Sequence, residues 1–270
     1  MNTPCTSSEA FISGSTGGLP RALVMTLAAL LMLSGCSFFA SSPPRLKVEL
    51  RYDGNPVPCG TALGMGGGGW YLEHSKFYLS DFQDQHGQSL KLENSKWQTD
   101  DIVLISIEQK DCWRGGEMPG NHQIRFSKEV DLKGVEQLSF VLGVPLNNAS
   151  QNPLTQPSPL NLSSMFWTVH SGHKFARIEL SSVSDTWAFH LGGVDCADSQ
   201  SDAMPCYKAD LLEFELKRPG GSASTLVFHI DRLLEGIELN QDNSCTFKPG
   251  ESQSCAMVLK NLQRSVIEWI

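Results

Sequence analysis

The sequence predicts an all-β protein, an antiparallel β-sandwich with disulfide-stapled loops and few short helices. Apolar and polar residues alternate with period two in several short segments, which indicates strands with one buried and one wet face. Clusters of Gly, Pro, Asn and Asp separate these segments, and helical periodicity is weak. Many short strands separated by turn residues are typical of a sandwich. We find no internal repeat or domain boundary between residues 46 and 270.

Each strand is predicted from its own pattern. Strict alternation marks residues 46–52, 138–142 and 212–216. Shorter apolar runs predict further strands at Phe77–Phe82, Ile102–Ile107, Phe175–Leu180, Trp187–Leu191 and Thr225–Ile230. Helices are expected only at Asp231–Ile237 and Met257–Leu262. The polar, proline-rich segment from Asn147 to Ser164 predicts a long loop, and loops of this length are often functional.

Residues 1–35 have the layout of a secretory signal peptide. Arg21 precedes a mostly apolar run of 12 residues, Ala22 to Leu33, whereas a membrane span needs about 20. The string Leu33-Ser34-Gly35-Cys36 matches a bacterial lipobox, in which the cysteine thiol becomes lipidated, palmitate being the expected acyl group. A plain signal peptide and a short buried helix are the alternative interpretations.

Residues 36–45 are predicted to be the lipidated Cys36 and a short tether, kept extended by Pro43-Pro44. Ser37 follows the cysteine where Asp would favour retention at the inner membrane. We therefore expect a cell-envelope lipoprotein at the outer membrane, facing the periplasm or the cell surface and anchored by its lipid alone. The net charge of −8 argues against nucleic-acid binding, because phosphate contacts need Lys and Arg.

Export changes how the remaining cysteines are interpreted. Apart from Cys5 and Cys36 the chain has six: Cys59, Cys112, Cys196, Cys206, Cys245 and Cys255. An even number in an oxidising compartment predicts disulfides, and six cysteines allow 15 connectivities. The simplest connectivity joins sequence neighbours: Cys59–Cys112, Cys196–Cys206 and Cys245–Cys255. Thiolate metal ligands are the alternative, although the chain has no C-x-x-C.

Enzyme motifs are missing from the sequence. It contains no G-x-S-x-G, no H-E-x-x-H and no Walker loop, and the glycine-rich stretch from Gly64 to Trp70 lacks the following Lys-Ser/Thr. We therefore predict that the protein is not an enzyme. A hydrolase remains a formal alternative without any supporting motif.

Histidines are the better candidates for chemistry, and all seven follow residue 73. Neutral imidazole suits copper, zinc and nickel, and thioether sulfur suits Cu(I). His170 and His173 can converge if their segment turns, but they face opposite sides if it is a strand. For any single histidine, the alternative is a solvated or hydrogen-bonded side chain with no ligand role.

Several motifs in order resemble those of a known family. Met165-Phe166-Trp167-Thr168 followed by Ser171-Gly172-His173-Lys174-Phe175 resembles the signature of the MbnP-like copper-binding proteins, also called metallo-mystery-pair four-Cys proteins. Similar matches are Phe189-His190-Leu191-Gly192-Gly193 with Cys196, Phe77-Tyr78-Leu79-Ser80-Asp81, and Leu142-Gly143-Val144-Pro145 with Pro159-Leu160-Asn161. The resemblance runs over about residues 46–265.

The resemblance implies an exported β-rich domain that binds copper chiefly through histidines. It also implies a partner enzyme of the di-haem MauG or cytochrome-c-peroxidase type and, in some members, a Trp oxidised to kynurenine. Here Val169 replaces the second Trp of the signature, His173 replaces its Tyr, and Asn147-Asn148 stands where the family has Asn-His.

On this resemblance the expected copper ligands are His74, His122 and His190, followed by His170 and Met165. Trp167 is the candidate modified aromatic, and an unmodified Trp of the core is the alternative.

The sequence thus predicts an exported, lipid-anchored protein that sequesters or delivers copper at the cell envelope. One alternative is an interaction or scaffold lipoprotein with a degenerate metal site. Another is a protein substrate of the di-haem enzyme.

Overall fold

The computed structural model describes residues 42–57, 60, 62–65, 69–108, 120–149, 151–167, 172–192, 212–220, 223–246 and 253–270, with the side chains of 253 and 254 excepted. The leader, the lipobox with Cys36, His170, and the cysteines Cys59, Cys112, Cys196 and Cys206 lie outside these residues. Within the described part the all-β class is confirmed.

The described residues form two sheets, and the smaller one has five strands. In spatial order these are β12 (Ile267–Trp269), β11 (Thr225–His229), β1 (Arg45–Tyr52) and β2 (Asn55–Pro56), with β6 (Gln123–Arg125) also paired to β1. β1 and β11 run parallel, whereas the other pairs are antiparallel. The sheet is therefore mixed, and the parallel pair joins strands that lie far apart in sequence.

The larger sheet has seven strands. Its main path is β10 (Leu212–Lys217), β7 (Gln137–Leu142), β3 (Tyr71–Gln83), β4 (Ile102–Glu108) and β5 (Gly120–Asn121), and β8 (Lys174–Ser181) pairs with both β3 and β9 (Thr186–Gly192). All pairs are antiparallel. The long strand β3 pairs with β8 through its first half and with β7 through its second half.

The hydrophobic core lies between the two sheets. Leu46, Val48 and Leu50 of β1 are buried, as their alternation predicts. The rings of Phe77 on β3 and Phe228 on β11 lie 4.3 Å apart, so these side chains connect the sheets. Odd-numbered residues of β3 near Phe77 face this core, and even-numbered ones face outward.

In the part of the chain that the structure describes, the helices are short: α1 (Leu146–Ala149), α2 (Ile230–Leu233) and α3 (Gln253–Leu262), with 3-10 turns at 132–134, 153–155, 163–165 and 241–243. The helix expected over 231–237 ends at Leu233, and Gly236 beyond it has a left-handed φ of 73°. The helix expected from Met257 begins earlier, at Gln253. No helix in the described residues is both long and apolar enough to cross a membrane.

One expected disulfide is present, Cys245–Cys255. The Cys245 amide donates to Ala188 at 2.7 Å, and its carbonyl accepts the His190 amide at 2.8 Å. Cys245 thus extends the sheet beyond β9, and the disulfide ties this position to α3.

The long connection between β7 and β8 packs on the outer face of β3. The hydroxyl of Tyr78 donates to the Pro159 carbonyl at 2.8 Å, and the Ser80 hydroxyl donates to the Gly143 carbonyl at 3.1 Å. The described part of the loop expected over 147–164 contains α1 and two 3-10 turns. The first half of β3, which carries His74, stays clear of these two anchors.

Candidate metal centre

Four neighbouring strands of the large sheet present a row of polar side chains on the outer face. We call these the polar ladder: His190 on β9, Arg177 and Glu179 on β8, His74 and Lys76 on β3, and Glu108 on β4. The side chains form two rows across the sheet. In one row Arg177 lies between His190 and Lys76. In the next row His74 lies between Glu179 and Glu108. Cβ atoms of directly opposed residues are about 5 Å apart, so the six side chains share one surface.

Glu179 is bonded to two other members of the ladder. Arg177 donates to its two oxygens at 2.7 and 2.8 Å, and the His190 Nε2 atom lies 2.7 Å from Oε1. Burial by itself raises the pKa of Glu179, but the hydrogen bonds from His190 and Arg177 outweigh it and hold the pKa well below its usual range. Glu179 is therefore an ionised carboxylate at pH 7.

A second ion pair lies at the β3–β4 end of the ladder. Lys76 Nζ is 2.6 Å from Glu108 Oε1, and only 7% of the lysine side chain is exposed. Burial raises the pKa of Glu108, and the bonded Lys76 more than compensates, so the pKa lies below its usual value. Both cations of the ladder are thus matched by a carboxylate.

His74 lies between the two ion pairs. Its Nδ1 atom is buried and has no hydrogen-bond partner among the described residues. Burial first, and then the neighbouring Arg177 charge, lower the pKa of His74, so its imidazole is neutral at pH 7. In the tautomer that carries its proton on Nε2, the Nδ1 atom of a neutral imidazole has a lone pair that a metal ion can bind.

Trp167 borders the polar ladder at its β9 end. Gly192 lies two residues beyond His190 on β9, and a Cβ atom added there would fall within 3 Å of the Trp167 ring and 2.6 Å from the His173 carbonyl oxygen. The indole therefore lies directly on the strand, where only glycine leaves room. Lys174 Nζ is 6.0 Å from the ring centroid, within cation–π range, and it also contacts the Ser164 carbonyl at 3.4 Å.

His122 lies in a different part of the molecule. It follows β5, and its backbone carbonyl accepts the Val48 amide at 2.8 Å. His122 lines a cavity of about 360 Å³ together with Leu50 and Ile107. Because Ile107 points to the opposite face from Glu108, this cavity lies on the inner side of the sheet. The structure thus separates His122 from His74 and His190, which the sequence had grouped together.

Two other candidate ligands are not part of the polar ladder. Met165 is completely buried in the 3-10 turn over 163–165. His173, which the sequence paired with His170, is also buried: its Nε2 bonds the Leu160 carbonyl at 2.9 Å and its ring meets Tyr78 edge-on. His173 thus anchors the long loop to the sheet. His170 itself falls between Trp167 and Gly172, outside the described residues.

Sequence reasoning missed Arg177, Glu179, Lys76 and Glu108. The available signal was alternation: Arg177 and Glu179 are the polar positions of the predicted strand Phe175–Leu180. Alternation places them on the wet face, but it does not say which strands lie beside them.

The donor types of the ladder fit copper, but the ladder does not complete a coordination shell. Imidazole nitrogen is a preferred copper ligand. His74 and His190 lie on either side of β8, so their strands are about 10 Å apart. In the described part of the chain, no three His, Cys, Asp or Glu side chains are grouped so that they could hold a metal ion.

Comparison with known proteins gives two matches. The MbnP family profile matches residues 41–247. A solved structure, MbnP from Methylosinus trichosporium, superposes with a TM-score of 0.64 over 81% of this chain and 87% of that chain, at 21% sequence identity. This similarity shows that the two folds are alike. A search of functionally curated proteins finds no significant match.

Proposed function

Because this chain belongs to the MbnP family, we propose that it binds copper on the outer face of its large sheet. Membership in this family suggests a copper-related role. The proposed ligands are His74 and His190, with His170 as the candidate for a third. In this proposal the protein is not an enzyme and sequesters or delivers the metal.

The unpartnered Nδ1 atom of His74 carries the proposal. A buried polar atom without a hydrogen bond costs about 1–3 kcal/mol, and coordination of a metal ion would remove this cost. The low pKa of His74 supports the same role, because only the neutral ring can bind a metal ion. No proton has to be displaced from His74 at pH 7.

The charges around His74 are compatible with a bound cation. Lys76 and Arg177 would repel a metal ion if they were unpaired, but Glu108 and Glu179 bond them at 2.6 and 2.7 Å. Trp167 shields the β9 side of the ladder, because its ring lies against Gly192. Because both positive side chains are paired with carboxylates, the surface around His74 would not repel a bound copper ion.

The location and the partner belong to the proposal as well. The lipobox ending at Cys36 supports a lipid-anchored protein of the cell envelope. The family resemblance supports a di-haem enzyme of the cytochrome-c-peroxidase type as a partner. Intact masses of the protein produced with and without that enzyme would reveal an oxidised Trp167 as an added mass.

A copper titration of the exported protein, purified with its disulfides formed, tests the proposed site. We expect one tightly bound copper, and at least a tenfold loss of affinity in His74→Ala and in His190→Ala. His86→Ala is the matched control, because His86 lies in an exposed turn after β3. Micromolar or weaker binding by the unaltered protein, or unchanged affinity in both variants, would overturn the proposal.

A degenerate metal site is the second candidate, and one observation favours it. The described residues contain no group of three ligands that could hold a metal ion. In that case the protein is an interaction lipoprotein, and removal of His74 or His190 changes neither its metal content nor its binding of envelope proteins. Quantitative metal analysis of the exported protein separates the two candidates.

A further inference from the structure

We propose that the open edge of β10 is a docking site for an extended, basic segment of another protein, which pairs with β10 as an added strand. β10 (Leu212–Lys217) is the last strand of the large sheet, and among the described residues it pairs only with β7. A cleft of about 550 Å³ lies along it, and β12 of the small sheet forms the opposite wall. The proposal does not depend on copper binding, because the polar ladder lies on β3, β4, β8 and β9.

The backbone groups on this edge of β10 have no partner in the described part of the chain. Just beyond the two strands, the Arg218 amide donates to the Glu136 carbonyl at 2.7 Å. Because hydrogen-bonded pairs alternate in an antiparallel ladder, the even-numbered residues of β10 bond to β7 and the odd-numbered ones point away from it. The N–H and C=O groups of Glu213, Glu215 and Lys217 therefore face the cleft, as a row with which a further strand can pair.

The facing strand β12 also has an open edge, since within the described residues it pairs only with β11. Thr225 and Ile270 exchange both backbone hydrogen bonds, at 3.0 and 2.9 Å. The backbone groups of Ile267 and Trp269 therefore point away from β11. Trp269 lines the cleft and is only 4% exposed, and its buried indole N–H has no acceptor in the residues that the structure describes. A peptide backbone supplies the carbonyl groups that these donors lack.

The width of the cleft decides how many edges the segment can join. Some Cα atoms of β10 and β12 lie within 8 Å of each other. A strand paired with both edges would need them about 10 Å apart, twice the spacing of neighbouring strands. The segment can therefore pair with one edge only. β10 is the longer of the two strands, so the segment pairs with β10, and β12 forms the second wall.

The inner face of β10 favours apolar side chains in the segment. Leu212 is buried, whereas Phe214 and Leu216 are half-buried at the rim of the core. The ring of Phe214 stacks on that of Phe140, with 5.5 Å between the centroids. In an added strand every second side chain faces this way and covers the exposed parts of Phe214 and Leu216, beside Trp269.

The outer face of β10 favours basic side chains in the segment. Glu213 and Glu215 are exposed on this face, and neither forms an ion pair with another described residue. Their neighbours across the strand pair, Val141 and Ser139 of β7, are uncharged. Opposite charges on adjacent strands stabilise the pairing, so the two carboxylates select lysine or arginine on the incoming strand.

Two cations also belong to the described lining of the cleft, Lys217 and Arg264. Lys217 is the last residue of β10, and Arg264 precedes β12. The segment should therefore be basic along the first part of β10, opposite Glu213 and Glu215. Charges on an edge strand also discourage pairing with strands of the same charge, so these carboxylates exclude acidic segments.

A peptide titration followed by NMR tests the docking site in the exported protein. The probe is a peptide of about eight residues, a common strand length, in which valine and lysine alternate. The same peptide with glutamate in place of lysine is the charge control. We expect the lysine peptide to slow hydrogen exchange at the amides of Glu213, Glu215 and Lys217 and to shift the indole N–H signal of Trp269. The glutamate peptide should not bind.

Two sets of variants separate strand pairing from general charge attraction. The double variant Glu213→Lys/Glu215→Lys should weaken binding of the lysine peptide about tenfold. The matched control Glu129→Lys/Glu238→Lys alters exposed residues outside the cleft and should change binding by less than about twofold. Lys217→Pro removes an amide that faces the cleft and should weaken binding about fivefold, although it also removes a positive charge. Lys217→Gln keeps the amide and should bind at least as well as the unaltered protein.

Other occupants of the cleft give distinct results, each of which would overturn the proposal. If the amides of Glu213, Glu215 and Lys217 exchange slowly in the monomer without peptide, this chain already covers the edge. If their protection disappears on dilution, together with a dimer in analytical ultracentrifugation, a second copy covers it. Equal binding of the lysine and glutamate peptides, or full affinity in Lys217→Pro, would exclude pairing of a basic strand with β10.

Discussion

Among the described residues, the same trio of side chains occurs at two different places. Glu179 bonds Arg177 and His190 on the outer face of the large sheet, and Glu268 bonds Arg232 and His229 in the small sheet. The histidine–carboxylate distances are similar, 2.7 and 3.0 Å.

The surroundings of the two trios differ. His190 is half-buried, on the face that also carries His74 and Trp167. His229 is only 5% exposed, and it lines an interior cavity with Phe228 and Leu50. A histidine, a glutamate and an arginine in contact therefore do not define a metal site by themselves. The neighbouring imidazole and access from outside make the first trio a candidate, whereas the second links β11 to β12.

Loss of the disulfide should produce the largest effect and affect the two trios unequally. Replacing Cys245 and Cys255 by Ser should lower the free energy of unfolding by about 2–4 kcal/mol, measured by denaturant titration. The His190 amide should exchange hydrogen faster, because it donates to the Cys245 carbonyl, whereas the His229 amide donates to Val266. Equal acceleration at both amides would show that the disulfide does not specifically support β9.

The second-largest effect should come from the packing of Trp167 against Gly192, beside the first trio. Gly192→Ala should lower the free energy of unfolding by about 1–3 kcal/mol, because the new methyl group overlaps the indole and the His173 carbonyl. The fluorescence of Trp167 should shift, and copper affinity should fall. Gly220→Ala is the control, since nothing lies within 4 Å of its added Cβ atom. Equal stability in the two variants would contradict this packing.

Acid should weaken the large sheet through its neutral histidines. Burial lowers the pKa of His173, and the hydrogen bond to the Leu160 carbonyl offsets only part of this shift. The unfolded chain therefore takes up a proton at a higher pH than the folded one. The contribution of neutral His173 to the free energy of unfolding is therefore fully present above about pH 6.5. Below that pH it falls by at most about 1.4 kcal/mol per pH unit. His74 contributes in the same direction, reduced by its solvent exposure.

Unfolding titrations between pH 7.5 and 5.5 measure this slope. The slope should be smaller in His173→Gln, which removes the titrating ring, and unchanged in His86→Gln, whose residue lies in an exposed turn. A slope that stays the same in His173→Gln would assign the acid sensitivity to other groups.

The smallest effect should come from the second trio. Glu268 is 40% exposed, and Glu268→Gln should cost less than about 1 kcal/mol, because exposed ion pairs contribute little. Copper affinity should stay unchanged, in contrast to the loss expected for His190→Ala. A matching loss of affinity in Glu268→Gln would remove the distinction between the two trios.

The sequence determined much of this protein by itself. Period-two alternation located β1, β7 and β10, and apolar runs located β3, β4, β8, β9 and β11, because burial of one strand face leaves a local pattern. The family resemblance and the Cys245–Cys255 pairing also followed from the sequence. It singled out His74 and His190 as candidate ligands as well.

The tertiary structure alone decided which side chains are neighbours. The polar ladder joins residues from 74 to 190 through the register of four strands, and alternation within a strand carries no information on register. For the same reason alternation could not show that His122 lies at the inner cavity, away from His74, or that Glu179 bonds His190. A strand's faces are set by its own residues, whereas the partners across each face are set by pairing with strands distant in sequence.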